Sequence, residues 1–245
     1  MRSFLGVTLV SALAVLVSPL QALAETEPRN SGLELLSRRL QNVLNADGSS
    51  SFDDVATSEL QPALTQRYQR FRQDFPEVTW QVEPAAPLAD GRHTLSLRVA
   101  GEAESEGLRY RLEATERIAI RLDDGLMVDQ ELVSHESLLR SGKRPLAVTL
   151  GIPDAVLTGS RYDIDLIVEE PLGQALVAAG LIDVTQQHVA NQFRPNLPLA
   201  PMGGGGLFKS VQAPQTSGSQ TWALMLVHPD GVVTATKRVR VVSSL

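Results

Sequence analysis

The sequence predicts an α+β chain, with N-terminal helices on an antiparallel sheet and an all-β sandwich after them. Three observations carry this expectation. Apolar residues recur every three to four positions between Leu33 and Phe75, the helical spacing. From Val78 the period drops to two, and from about Pro145 only short alternating segments remain, separated by turn residues.

The first helix is read from Leu33, Leu36, Leu40, Val43 and Leu44, with Arg38, Arg39 and Gln41 on the opposite side. Asn45 to Ser50 supplies Asn, Asp, Gly and Ser, which favour turns and stop it. A second stripe runs through Leu60, Leu64, Tyr68, Phe71 and Phe75. Pro62 marks its first turn or a break, and Pro76 ends it. Val78, Trp80 and Val82 then alternate with polar residues, as do Leu95, Leu97 and Val99. A longer strand holds Leu108, Tyr110, Leu112, Ala114, Ile118, Ile120 and Leu122 on one parity. Asp123-Asp124-Gly125 reads as a hairpin turn, and Met127 to Leu132 as the start of the returning strand. Further strands are expected at 146–150, 161–169, 175–185, 207–211, 221–227 and 232–242, the short spacing of a sandwich.

The N-terminus reads as an address. Arg2 precedes an apolar run from Phe4 to Val17, Pro19 breaks it, and Ala22-Leu23-Ala24 offers a signal-peptidase site. A run of about 14 residues is short of the ~20 needed to span a bilayer, so residues 1–24 are expected to be a cleavable signal peptide. The protein is then exported to a periplasm or equivalent lumen, or beyond it, with no membrane span left. Residues 25–32 form a linker, 33–144 the α+β domain and 145–245 the sandwich. Charge marks the same boundary: residues 25–145 carry 15 basic and 21 acidic residues, against 6 and 7 in 146–245.

Composition removes whole classes of function. The net charge of −6 argues against nucleic acid, whose binders neutralise phosphate. The sequence contains no cysteine, which excludes disulfides, thiolate metal sites and a Cys nucleophile. No two of its four histidines have metal-ligand spacing, so neither a metal nor a cofactor is expected.

The stretches RYQRFRQDF, YRLEATERIAIRL and DDGLMVDQELVSHESLL resemble the NTF2-like cone fold over residues 33–140. YDIDLIVEEPL and QTWALMLVHPDGVVTATKRVRVV resemble an immunoglobulin-like sandwich. The second stretch departs from true immunoglobulin domains, since both cysteines are missing and Trp222 sits on the penultimate strand. The whole chain resembles exported bacterial proteins of unknown function, cyanobacterial ones included. These resemblances imply a cone-like first domain with room for a small-molecule pocket, and bring no catalytic residue with them.

Glu116 shares the apolar parity of Leu112, Ala114, Ile118 and Ile120, where a carboxylate is costly unless paired or hydrated. It is either a general base lining the cavity or a residue turned out by a bulge near Thr115, or one paired with an Arg of the next strand. His135 is the histidine best placed for a pocket, against the plainer reading of a surface side chain. His93, His188 and His228 read as strand-start, loop and turn residues. Asp163, Asp165 and Glu169 share a strand face but stand too far apart along it to ligate one ion, and read as solvated. Arg109, Arg111, Arg117 and Arg121 form a wet stripe balanced by cross-strand acids.

Leu199, Met202, Gly203, Gly204, Gly205, Gly206 and Phe208 read as a mobile interaction loop with an apolar tip. The glycine run lacks the Lys-Ser/Thr spacing and the following helix of a phosphate loop. The expected function is that of an exported, non-enzymatic binding or accessory protein, taking a protein partner or a small ligand, with no oligomeric state implied. The alternative is a hydrolase- or isomerase-type enzyme with Glu116 and His135 as acid–base pair. Convergence of the two in a cavity favours the enzyme, whereas a cavity filled by Trp80, Leu97, Tyr110 and Ile118 removes it.

Overall fold

The computed structural model describes residues 27–46, 51–105, 107–142, 145–170, 175–185 and 197–244. The expected signal peptide and His188 lie outside the described residues, as do residues 47–50 of the first helix stop. The described chain holds two helices and twelve strands, in the order α1 (Glu27–Asn45), α2 (Gln61–Asp74), β1 (Glu77–Ala85), β2 (His93–Ser105), β3 (Leu108–Asp123) and β4 (Leu126–Gly142). There follow β5 (Val148–Gly151), β6 (Ala155–Leu157), β7 (Arg161–Val168), β8 (Val177–Asp183), β9 (Ala200–Met202), β10 (Gly206–Gln212), β11 (Gly218–His228) and β12 (Gly231–Val242).

Local sequence explains several of these boundaries. Leu33, Leu36, Leu40 and Leu44 are all buried, so α1 turns one stripe inward. Pro62 sits in the first turn of α2, where its missing N–H is harmless. Asp124 and Gly125 both have positive φ, 47° and 81°, the backbone that a two-residue hairpin requires between β3 and β4.

The expectation of an α+β arrangement, with N-terminal helices layered on an antiparallel sheet, is overturned. Strands dominate, and one antiparallel path β1-β2-β3-β4-β12-β11-β8-β9 runs through both halves of the chain. β6 joins that sheet alongside the end of β12, making nine strands, and β10-β7-β5 form a second sheet. The physical reason is the free edge of β4. It pairs with β12 from Gly231↔Gly142 to Lys237↔Glu136, so the two predicted β-regions are hydrogen-bonded into one.

β12 accordingly serves two cores on its two faces. Val233, Ala235, Val239 and Val241 point into a cluster shared with Ile164 and Leu166 of β7 and Leu224 and Leu226 of β11. This is the packing of the small sheet on the large one. Thr234 and Thr236 face the other way, toward the helix-covered end, where α1, Phe52 and Tyr68 bury Val82, Leu95, Leu97 and Ile118. The helices therefore cap one end of one face of a continuous β-structure.

Three details fix this frame. The Lys237 ammonium is 2.7 Å from Glu136 and 2.6 Å from Asp154, with its side chain 9% exposed. Burial pushes its pKa down, but the two carboxylates outweigh that and hold it above the ordinary lysine value. The open edge of β1 is occupied by α1: Asn45 accepts the Trp80 N–H and donates to the Trp80 carbonyl, both at 2.8 Å, and Gln41 accepts from Val82 at 2.9 Å. At the far end of the path β9 offers only Ala200–Met202, with Pro201 opposite Ala178.

Gly142 stands at the corner where β4 meets β12, with φ +126°. A Cβ there would fall 2.4 Å from the Asp230 carbonyl oxygen and the Gly231 Cα, both backbone atoms that cannot swing aside. Gly142→Ala is expected to cost about 2–3 kcal/mol in urea denaturation. Gly203→Ala, where a Cβ meets nothing within 4 Å, is expected to stay within about 0.5 kcal/mol of the parent.

Candidate functional site

β3 keeps one parity through its middle, so Leu112, Ala114, Glu116 and Ile118 all line the cavity beneath the helices. Its partner does not. The register shifts between Arg117 and Ile118 and again between Arg121 and Leu122, leaving Val133 and Val128 of β4 as extra residues. Each extra residue flips the side-chain alternation. His135 and Ser137 face the cavity above the first shift, Gln130 between the two, and Met127 below the second. The bulge foreseen beside Thr115 thus lies on the neighbouring strand, and Glu116 points inward.

The cavity measures about 360 Å³. α1 contributes Leu40 and Leu44, and α2 adds Leu64, Phe71 and Arg67. The sheet supplies Trp80, Leu97 and Val99 to the floor. Trp80, Leu97 and Ile118 are walls of this space rather than its filling, and Tyr110 is not among its lining residues. Phe71 meets Phe75 at 5.4 Å and Trp80 at 5.3 Å between ring centroids, giving one side an aromatic surface. Tyr68 shows little polarity to the space. Its hydroxyl lies 3.0 Å from the Leu44 carbonyl oxygen and 3.1 Å from that of Ala46, and it accepts from Arg72 at 2.9 Å.

Against these apolar walls runs one polar row. Glu116 and His135 are register partners across β3 and β4, and Glu116 Oε1 stands 3.0 Å from His135 Nδ1. His135 Nε2 is 2.9 Å from the Thr236 hydroxyl, which is 2.6 Å from the Ser137 hydroxyl. Arg67 reaches Glu116 from α2 at 3.5 Å. The Glu116 side chain is 15% exposed and that of His135 23%, whereas Arg67 is 60% exposed and marks the mouth. Burial pushes the Glu116 carboxyl up, but the hydrogen bond from His135 and the charge of Arg67 prevail and hold it below the ordinary glutamate value.

The row has the connectivity of an acid–histidine–hydroxyl relay: a carboxylate on one imidazole nitrogen and a hydroxyl on the other. Acyl transfer needs more, namely free donors aimed at a developing oxyanion. At Thr236, β12 is flanked by β4 and β11, and at Ser137, β4 is flanked by β3 and β12. Their backbone N–H groups are thereby committed to the ladders. The geometry suits holding and relaying a proton, or binding a polar group, better than nucleophilic hydrolysis.

The structure thus brings together Glu116 and His135, the two residues that sequence spacing singled out. Thr236, Ser137 and Arg67 were missed. Thr236 is 101 positions from His135, and nothing in the spacing of either residue signals that they meet. The remaining candidates are scattered. Arg111 pairs with Glu102 at 3.3 Å and Arg121 with Asp129 at 3.3 Å, while Arg117 turns to Thr94 and the Ala86 carbonyl. His228 accepts the Asp230 N–H at 3.1 Å in its turn, and His93 is half-buried at the start of β2. Glu169 accepts from Thr149 at 2.8 Å, and among the described residues no cluster of His, Asp and Glu could hold a metal ion.

The residues read as one interaction loop are split between the two sheets. Leu199 leads into β9, which ends at Met202 beside β8, and Gly203, Gly204 and Gly205 cross to Gly206, the first residue of β10 beside β7. Leu199 is 42% exposed and Phe208 63%, whereas Met202 packs against the sandwich core. Gly206 is buried, and a Cβ there would lie 2.4 Å from the Leu166 carbonyl oxygen. Close approach of two backbones, rather than a phosphate, accounts for that glycine.

Residues 143–242 match a family described as Domain of unknown function (DUF8623). Among curated proteins none matches the chain. The matched span takes in β5 to β12, and so contains Thr236 but neither Glu116 nor His135.

Glu116 yields a pH signature. A carboxylate whose pKa is depressed on folding contributes stability above its unfolded value, near 4.5, and loses it as pH falls through the lower folded value. Glu116→Gln is therefore expected to flatten the decline of urea-denaturation stability below about pH 4.5. An acid limb identical to the parent's would show that the carboxylate is not held this way.

Proposed function

We propose that this is an exported, non-enzymatic protein that binds a small, largely apolar molecule in the cavity between the helices and the sheet. One observation carries the reading: a space of about 360 Å³ with aliphatic and aromatic walls and a convergent polar row, Glu116–His135–Thr236–Ser137. Pockets that take small ligands are of this size and composition, with a few placed polar groups to fix orientation. The resemblance of residues 33–140 to NTF2-like cones supports the same use of the space. The hydrophobic N-terminus supports export.

A second reading is favoured by the 3.0 Å approach of His135 to Glu116. A carboxylate that orients an imidazole beside an apolar space is suited to moving a proton on a bound molecule, the chemistry of an isomerase-type enzyme. The hydrolase branch loses support from the ladder-bound N–H groups around Thr236. Binding without turnover and binding with turnover share the cavity, so occupancy is the first quantity to measure.

Ala114 lines the cavity beside Glu116, and a ring built there enters it. The neutral fluorescent probe N-phenyl-1-naphthylamine is expected to bind the parent protein in the micromolar range. Ala114→Phe is expected to weaken it at least tenfold, with the unfolding temperature within a few degrees of the parent's. Equal affinity in the folded variant places the probe elsewhere and sinks the reading. Native mass spectrometry of the protein from its producing cells then identifies the natural occupant by mass.

A further inference from the structure

The polar row has a direction, and the direction selects a ligand class. Ionised Glu116 is an acceptor only, so the His135 nitrogen facing it, Nδ1, carries a hydrogen. In the neutral imidazole Nε2 then has a lone pair and no hydrogen, and Thr236, 2.9 Å away, must donate to it. A hydroxyl has one hydrogen. With that of Thr236 spent on His135, the 2.6 Å contact between Thr236 and Ser137 is made by the Ser137 hydrogen. Ser137 ends the row with its hydrogen used and its oxygen lone pairs turned to the cavity that it lines.

We infer that the row Ser137→Thr236→His135→Glu116 presents a hydrogen-bond acceptor to the cavity, and that the ligand is an apolar molecule carrying a hydroxyl that donates to Ser137. The inference rests on the cavity being a binding site. Other donors near the row stand away from Ser137. Gln130 lies seven residues down β4, and the indole N–H of Trp80, unpartnered among the described residues, is three strands away on β1. Arg238, whose Nε has no partner among the described residues, follows Thr236 on the same face of β12, beyond His135. Arg67 is engaged with Glu116 at the exposed mouth, and the Tyr68 hydroxyl lies against the Leu44 and Ala46 carbonyls. A ketone or ether of the same skeleton would set its oxygen against that of Ser137 with no hydrogen between them, leaving buried acceptors unpaired. A carboxylate ligand would in addition lie near the negative charge of Glu116.

The direction also depends on the charge of His135. The groups around the imidazole are Glu116 from β3, Arg67 from α2, the neutral hydroxyl of Thr236 from β12, and the cation Arg238. Arg238 follows Thr236 on the same face of β12 and comes next in line with His135 where the ladder ends at Lys237↔Glu136. Once protonated, the ring donates at both nitrogens. Thr236 then gives its hydrogen to Ser137, and Ser137 gives its own to the cavity. Acid thus turns the acceptor at the end of the row into a donor.

The test uses 2-naphthol and 2-methoxynaphthalene, which share a bicyclic body fitting the wall of Phe71, Phe75 and Trp80 and differ in the hydroxyl hydrogen. Titration of the full mature chain at pH 7.5, read by calorimetry, is expected to give at least about fivefold tighter binding of 2-naphthol. Ser137→Ala is expected to abolish the preference, by weakening 2-naphthol and by raising the affinity for 2-methoxynaphthalene, whose oxygen no longer meets an unpaired acceptor. Acidification is expected to bring the wild-type ratio toward one as the row reverses, a response that a steric role of Ser137 would not produce. Equal binding of the two compounds by the wild type, a preference that survives Ser137→Ala, or a ratio indifferent to acid each overturns the donor assignment and leaves the cavity reading standing. Failure of both compounds and of N-phenyl-1-naphthylamine to bind overturns the cavity reading first.

Discussion

The structure depends on the antiparallel pairing of β4 with β12. Without these seven register pairs, from Gly142↔Gly231 to Glu136↔Lys237, the chain would be two β-units, each with a bare edge in its middle. With them, backbone hydrogen bonds of the first half are closed by the second. The same pairing makes β12 a common wall, its Val233 and Ala235 in one core and its Thr234 and Thr236 in the cavity on the reverse side. Lys237, held between Glu136 and Asp154, pins the ladder at its end. A buried cation is tolerable here because two carboxylates meet it directly.

The polar row is a by-product of that ladder. Glu116 sits on an apolar face, where an isolated carboxylate would be costly to bury. Its neighbours across β3–β4 and from α2 offset that cost, and His135 in turn finds its second partner only because β12 lies alongside. Fold and site are therefore one construction. The family match to residues 143–242 takes in only one side of it, since the acid and the imidazole come from the strands before the matched span.

What could be read in the sequence was what periodicity controls locally. The leucine stripe of α1, the proline-bounded second helix and the Asp124-Gly125 turn follow from spacing and backbone preference, and each has its counterpart in the structure. The parity of Glu116 with Ala114 and Ile118 likewise pointed to the inside of the sheet. The pairing of β4 with β12 was beyond such reasoning, because no local pattern declares which of several exposed edges a strand will seek. So the prediction of an α+β arrangement of helices on a sheet failed where β4 meets β12. The alternation of β4 was hidden for a different reason: Val133 and Val128 each add a residue, and a period-two count carried past them assigns the wrong face. The strand expected at 207–211 is present as β10, but from Leu199 to Gly205 proline and glycine suggested only a loop. The short strand β9 exists there because a partner on β8 was waiting, a fact of tertiary structure.

The ends of the long sheet carry one more consequence. A row of unpaired backbone N–H and C=O groups is a template on which another chain can grow, and a sheet of nine strands would ordinarily offer two. Here one end is closed by the side-chain amides of Asn45 and Gln41, which imitate a tenth strand without continuing it. The other end is cut to three residues with a proline among them. A protein with no cysteine to lock its fold, and with so much of its backbone committed to β-ladders, thus presents little free edge at either end of this sheet for another chain to extend. Loss of the α1 amides would be felt less in the stability of a single molecule than in its solubility at high concentration.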